Sequence, residues 1–172
     1  MTSILSGWRE QYDRMIRSHA RLLSVTDRST ALGSDDARDA LVHFFEDAYH
    51  LKDWIGNDVT LSRRRFDVEK AVNNSMRLTI CADICNGVKH FNLRRGRGGG
   101  AGAEIVGQGL TIGLPTARWP EPDEADEGWI EHSWHIEYRG RTYDAAKLAA
   151  EVVAAWDRWL TTQGLLSARV QR

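Results

Sequence analysis

The segment from about residue 75 to residue 93 is the feature that most constrains the fold, because its apolar residues do not stay on one face. They are Met76, Leu78, Ile80, Ala82, Ile84, Val88 and Phe91. A helix that is apolar on more than one side has to be covered by other elements on those sides. The segment therefore predicts a central helix around which the rest of the chain packs.

Three further stretches carry apolar residues at helical spacing and predict helices over about 5–24, 35–56 and 145–162. Ser34 and Asp144 stand just before two of them, and both residue types accept hydrogen bonds from the first turn of a helix. The apolar face of the last stretch consists of Leu148, Val152, Ala155, Trp156, Trp159 and Leu160. We expect this face, with its two tryptophans, to lie in the core.

The region from about 103 to 143 has strand signals instead. Residues 103–114 are extended in pattern, with apolar residues among glycines, and residues 129–138 alternate between apolar and polar. Arg139 and Gly140 then form a turn, and residues 141–143 return as a short strand. The sequence therefore predicts a small antiparallel β-meander between the third and fourth predicted helices.

These elements predict an α+β protein, mainly α, in which a four-helix bundle carries the meander. Residues 62–74 are expected to hold a short helix or an ordered connector. The length of 172 residues suits one domain spanning the whole chain. Helices joined by short loops pack antiparallel, and the meander must bury one face against them because an isolated hairpin is marginal in water.

Composition excludes two function classes. The net charge of −1 is not that of a polycation that binds nucleic acid nonspecifically. The longest uncharged run, residues 105–117, is too short and too rich in glycine to cross a membrane. The N-terminus lacks a basic run followed by an apolar one, so we expect a cytoplasmic protein without a signal peptide.

The two cysteines, Cys81 and Cys85, lie one helical turn apart. A reducing compartment disfavours a disulfide between them, and a metal site would need more ligands at suitable spacing. They are expected to be small buried side chains. His132 and His135 are also poor co-ligands, because residues three apart in a strand point to opposite faces.

Two polar stripes suggest a functional site. The first polar stripe, on the central helix, consists of Asp83, Asn86 and His90, with Lys89 at its edge. Gly87 lies beside it, where glycine indicates either the close approach of a helix or ligand, or a simple break in the helix.

The second polar stripe, on the preceding long helix, consists of His50, Asp53 and Trp54. Asp53 can fix the tautomer of His50, and Trp54 can exclude water. If the two helices pack with these stripes facing, their side chains share one water-accessible hollow. The alternative is that the polar groups pair across the helices and only fix their register, for example Asp53 with Lys89.

At Cys85-Asn-Gly-Val-Lys-His90 the chain resembles the HEPN superfamily. These small helical bundles include many metal-independent ribonucleases of toxin–antitoxin, CRISPR and phage-defence systems. Their signature is an Arg, a polar residue that is often Asn, three variable residues and a His. Asn86 and His90 match the last two marked positions, whereas Cys85 stands where the family has the Arg that binds the scissile phosphate. Lys89 is a substitute cation, although it lacks the two-pronged geometry of Arg.

The resemblance covers the second and third predicted helices and implies roles for their residues. His90 would transfer a proton at a ribose 2′-hydroxyl or at the leaving oxygen, while Asn86 and Lys89 would hold phosphate oxygens. Asp53 and His50 would tune the site. The residues expected on the substrate side are Asp83, Trp54, Arg94, Arg95 and Arg97. No metal or other cofactor is implied.

The basic loop that includes Arg94, Arg95 and Arg97 also resembles RGG-type sequences that contact nucleic acid, its alternative being a solvated loop. The implied partners are RNA or a nucleotide, an antitoxin or other protein, and a second copy of the chain in a homodimer. Two other classes stay open. One is a noncatalytic HEPN-like binding module, and the other is a structural or protein-interaction module whose polar residues only specify the bundle.

Overall fold

The central helix predicted from the sequence is the most deeply buried element of the computed structural model, which describes residues 7–26, 34–61, 67–90, 102–113 and 129–167. Within these residues the chain is α+β and mainly helical, with five α-helices and one three-stranded antiparallel sheet. The helices are α1 (Trp8–Thr26), α2 (Ser34–Asn57), α3 (Val68–Asn74), α4 (Met76–His90) and α5 (Ala145–Thr162). A short 3-10 helix, Val59–Leu61, follows α2.

α4 is the predicted central helix, and every residue from Leu78 to Cys85 along it is buried. It contacts α2, α3, α5 and the sheet. An unbroken run of buried residues covers all sides of a helix, which explains why the apolar positions of this segment follow no single face. Its predicted extension to residue 93 falls outside the described residues.

α1 and α2 pack against each other along apolar faces that the sequence pattern predicted. Gly7 precedes α1 with a φ of +82°, and the backbone N–H of Trp8 donates to Asp58 Oδ2 at 2.9 Å. Asp58 follows the last residue of α2. The first turn of α1 is therefore capped by a carboxylate from the end of the neighbouring helix.

The two other caps are local. Asp67 accepts from the backbone N–H of Lys70 at 2.9 Å at the start of α3, so part of the uncertain segment 62–74 is a true helix. Asp144 accepts from the backbone N–H of Lys147 at 2.8 Å, which confirms the predicted cap of α5.

The sheet has the strand order β1 (Glu104–Gly113), β2 (Trp129–Tyr138) and β3 (Arg141–Asp144). Each pair is antiparallel, as predicted, and a register shift between Ile105 and Gly107 interrupts the β1–β2 ladder. The face of β2 that carries His132, Trp134, Ile136 and Tyr138 is buried and packs on the helices. Burying this face gives the small sheet the stability that an isolated hairpin lacks.

Candidate functional site

The last turns of α4 are where this buried helix becomes accessible. Cys85 is 5% exposed, whereas Asn86 and Gly87 are partly exposed and Val88 is 43% exposed. Asn86 is thus the first residue of the HEPN-like motif that a ligand could reach. The side chains of Lys89 and His90 lie outside the described residues, although their backbone continues the helix.

Asp83, one turn before Asn86, is completely buried. Its Oδ2 accepts a hydrogen bond from the backbone N–H of Ala103 at 3.4 Å. Ala103 immediately precedes β1, so the carboxylate joins α4 to the sheet. A buried acceptor with a backbone partner is a packing element, and its depth keeps it from contacting a ligand directly.

The space beside Gly87 is open. A Cβ atom built there would meet no described atom within 4 Å. Among the described residues, then, no helix approaches closely enough to require glycine at this position. Of the readings that the sequence allowed, a ligand beside α4 or a break in the helical pattern remains, and α4 does not break at Gly87.

The second polar stripe lies on a different surface. His50 and Asp53 are exposed, and the Asp53 carboxylate accepts from Lys52 Nζ at 2.7 Å. Lys52 also donates to Glu69 Oε1 on α3 at 2.8 Å. Burial lowers the pKa of Lys52, but the hydrogen bonds to Asp53 and Glu69 outweigh it and raise the pKa above its ordinary value. Lys52 therefore ties α2 to α3.

Trp54, the third member of the second stripe, is partly buried, and the Arg14 guanidinium of α1 lies 5.6 Å from its ring centroid. This is the geometry of a cation–π contact. Trp54 thus joins α2 to α1, and the expected water-excluding wall around His50 is not what its ring forms.

The structure does not bring the two stripes together. Cys81 Sγ of α4 donates to Phe45 O of α2 at 3.3 Å, while Lys52, further along α2, contacts the beginning of α3. α2 and α4 therefore run in opposite directions. Counting from the Phe45–Cys81 contact at 1.5 Å per residue, His50 and Asn86 lie about 15 Å apart along the helices.

The same geometry bears on the pairings that would fix register. Asp83 is sealed beneath the surface on which His50 is exposed, so these two do not pair. The Asp53 carboxylate bonds its neighbour Lys52. Its expected pairing with Lys89 involves a side chain outside the described residues.

Both cysteines are buried and free, as predicted. Burial, with a smaller contribution from Cys85, raises the pKa of the Cys81 thiol well above its ordinary value. Cys85 occupies the position of the HEPN Arg and is 5% exposed. A side chain at this position points into the protein, where it has no route to a phosphate.

The other sequence predictions concern the strands and the basic loop. His132 is 2% exposed whereas His135 is exposed, which confirms that they lie on opposite faces of β2. Arg94, Arg95 and Arg97 lie outside the described residues.

One concave feature was missed by the sequence patterns: a groove of about 590 Å³ between α3, the start of α4 and the end of α5. Its lining includes Lys70, Asn74, Arg158, Trp159 and Thr162. Spacing was the available signal, since Lys70 and Asn74 are one turn apart, as are Arg158 and Thr162. Trp159 was expected in the core, yet it is only partly buried at the groove.

Among the residues that the structure describes, no three His, Cys, Asp or Glu side chains are arranged to hold a metal ion. The conceivable ligand set of His50, Asp53, Asp83 and His90 includes one side chain outside that part of the chain. No described helix combines the length and the apolar character needed to cross a membrane.

Comparison of the chain with protein-family models, with curated proteins and with solved structures found no match. No relative therefore supplies a function, and the geometry of the described residues is the evidence.

Proposed function

We propose that this chain is an HEPN-like module that acts on RNA at the last turns of α4. The observation that carries the proposal is the change from burial to exposure at Asn86, within the stretch that resembles the HEPN motif. The open space beside Gly87 leaves room there for a ligand. We place the protein in the cytoplasm, in a toxin–antitoxin or phage-defence system, with its helices forming the family's bundle and two copies forming a dimer.

The proposed reaction is a metal-independent transesterification. His90 removes the proton of a ribose 2′-hydroxyl, and the 2′-oxygen attacks the adjacent phosphorus. The bond from phosphorus to the 5′-oxygen breaks, and that oxygen leaves with a proton. The products are a 2′,3′-cyclic phosphate and a 5′-hydroxyl. Asn86 and Lys89 hold the nonbridging oxygens as negative charge develops. His50 and Asp53 take no part, because they lie at the other end of α4.

A second function, RNA binding without cleavage, is favoured by Cys85. The family's Arg supplies two hydrogen bonds to the phosphate, and the buried Cys85 cannot replace either of them. Binding through Asn86 and Lys89 does not need those two bonds, whereas a fast cleavage reaction does. The same site therefore serves both proposals, and cleavage is the stricter of the two.

The test is incubation of the purified chain with mixed RNA in EDTA, with His90→Ala and Asn86→Ala measured beside the wild type. If the chain is a nuclease, His90→Ala lowers the cleavage rate by about 100-fold or more. His50→Ala is the matched control, since it removes an exposed histidine about 15 Å from Asn86, and it leaves the rate unchanged.

Binding of a fluorescent single-stranded RNA separates the second function from the first. A noncatalytic module binds the RNA, loses affinity with Asn86→Ala and keeps it with His50→Ala. Equal cleavage and equal binding for the wild type, His90→Ala and Asn86→Ala would reject both functions and assign any residual activity to a contaminant.

A further inference from the structure

The groove between α3 and α5 has the dimensions of a small-molecule site. Its volume of about 590 Å³ falls inside the range typical of ligand pockets, about 300 to 1,000 Å³. Three separate helices form its walls: α3, the first turn of α4 and the last turns of α5. A groove with helical walls keeps its shape better than one formed by loops.

Positive charge dominates its lining. Lys70 lies on the α3 side and Arg158 on the α5 side, both exposed, and neither belongs to an ion pair among the described residues. The carboxylate in the lining, Asp67, already accepts the backbone N–H of Lys70. Two uncommitted cations on facing walls favour an anionic ligand, and the guanidinium can bind two phosphate oxygens at once.

The wall beside Arg158 is aromatic. Trp159 is partly buried, and its ring meets the ring of Trp156 edge to face at a centroid distance of 5.9 Å. Trp156 is itself fixed, because it is 1% exposed and its Nε1 donates to Ala48 O at 3.0 Å. Trp159 therefore rests on a rigid partner, as a surface on which a planar base stacks should.

Polar uncharged side chains complete the lining. Asn74 closes the α3 side, and Thr162 lies one turn beyond Arg158 on α5. An amide and a hydroxyl can both donate and accept, which suits the edge of a base or the hydroxyls of a ribose.

We propose that this groove binds a nucleotide, with the base against Trp159 and the phosphate between Lys70 and Arg158. The ligand is a nucleoside phosphate, either free or as one unit of a single-stranded RNA, since both present the same base and phosphate. This site is separate from the proposed RNA site. Leu78 lines the groove, and Asn86 lies about 12 Å further along α4.

The test is isothermal titration calorimetry of the full chain with AMP, adenosine, inorganic phosphate and a single-stranded RNA hexamer. AMP binds more tightly than adenosine or phosphate alone, because only AMP engages both the tryptophan and the cations. Arg158→Gln and Lys70→Gln each weaken AMP binding by about tenfold. Arg21→Gln, which removes an exposed arginine on α1, is the matched control and leaves the affinity unchanged.

Fluorescence gives a second measurement. AMP quenches the emission of the wild type, whereas Trp159→Phe retains a stacking surface and binds AMP with less quenching. A hexamer that binds more tightly than AMP, with the gain retained in Asn86→Ala, identifies a groove for one unit of an RNA strand. Equal affinity for AMP and the hexamer identifies a site for the free nucleotide.

Three results would overturn the proposal: AMP and hexamer affinities both weaker than about 1 mM, unchanged AMP affinity in Arg158→Gln, or phosphate binding as tightly as AMP. None of them affects the RNA function proposed at Asn86. That function is measured by the response to Asn86→Ala and His90→Ala, whereas the groove is measured by the response to Arg158→Gln and Lys70→Gln.

Discussion

At the scale of single residues, the carboxylate of Asp58 shows how one side chain fixes backbone on two elements. Its Oδ2 accepts from Trp8 N, and its Oδ1 accepts from the backbone N–H and the hydroxyl of Thr60 at 2.8 and 2.6 Å. Burial raises the pKa of Asp58, but these hydrogen bonds outweigh it and hold the pKa below its ordinary value. The tight fit around this carboxylate leaves no room for a side chain at Gly7.

Gly7→Ala is expected to destabilise the protein by about 2 kcal/mol, because the left-handed backbone at φ +82° is strained for alanine and the new Cβ would collide with the Asp58 carboxylate. Gly56→Ala is the control: a Cβ in this α2 position meets no described atom within 4 Å, so the change should stabilise the helix by up to about 1 kcal/mol. Urea unfolding of both variants measures the two effects. Equal shifts in one direction would contradict this account.

At the scale of elements, the second polar stripe is better explained by helix attachment than by chemistry. The Lys52 side chain is only 11% exposed and bridges Asp53 of α2 and Glu69 of α3. α3 has just seven residues, and isolated helices of that length are unstable in water. Its position therefore depends on contacts such as this bridge.

Lys52→Met, which keeps the apolar stem and removes the charge, is expected to lower stability by about 0.5 to 1 kcal/mol, since both partner carboxylates are half exposed. Glu69→Gln should cost less once Lys52 is already replaced, because the two variants remove the same contact. Urea unfolding of the singles and the double measures this coupling, and hydrogen exchange locates it in α3. Strictly additive losses would show that the bridge contributes nothing.

At the scale of the whole molecule, most secondary structure could be predicted from the sequence, and the arrangement of the polar residues could not. β2 and α5 follow from alternation and helical spacing, which are properties of neighbouring residues. The distance between His50 and Asn86 depends on the direction and register of α2 against α4. Periodicity says which face a residue occupies, but it does not say how far along the partner helix that face lies.

Exposure was equally hard to predict for aromatic residues. Trp156 and Trp159 belong to one apolar face of α5, yet the first is 1% exposed and the second is only partly buried beside the groove. The difference arises from where α3 ends, which the pattern of α5 does not contain.

The core can be tested as one unit through its thiols. Cys81 and Cys85 are buried at the centre of α4, and burial raises the pKa of the Cys81 thiol. Both should react with a thiol reagent only when the protein unfolds, so the labelling rate should follow the unfolding equilibrium measured by circular dichroism in increasing urea. Rapid labelling of either thiol without urea would show that α4 opens locally.

The Trp8–Asp58 contact also determines which part of the α1–α2 pair sets its alignment. Asp58 stands just past α2 and Trp8 begins α1, so the contact fastens the open end of a helical hairpin, opposite the connection between the two helices. The alignment of the pair is thus fixed away from that connection. Lengthening or shortening the connecting segment should leave the pairing intact, and the evolutionary freedom of this hairpin lies in its link.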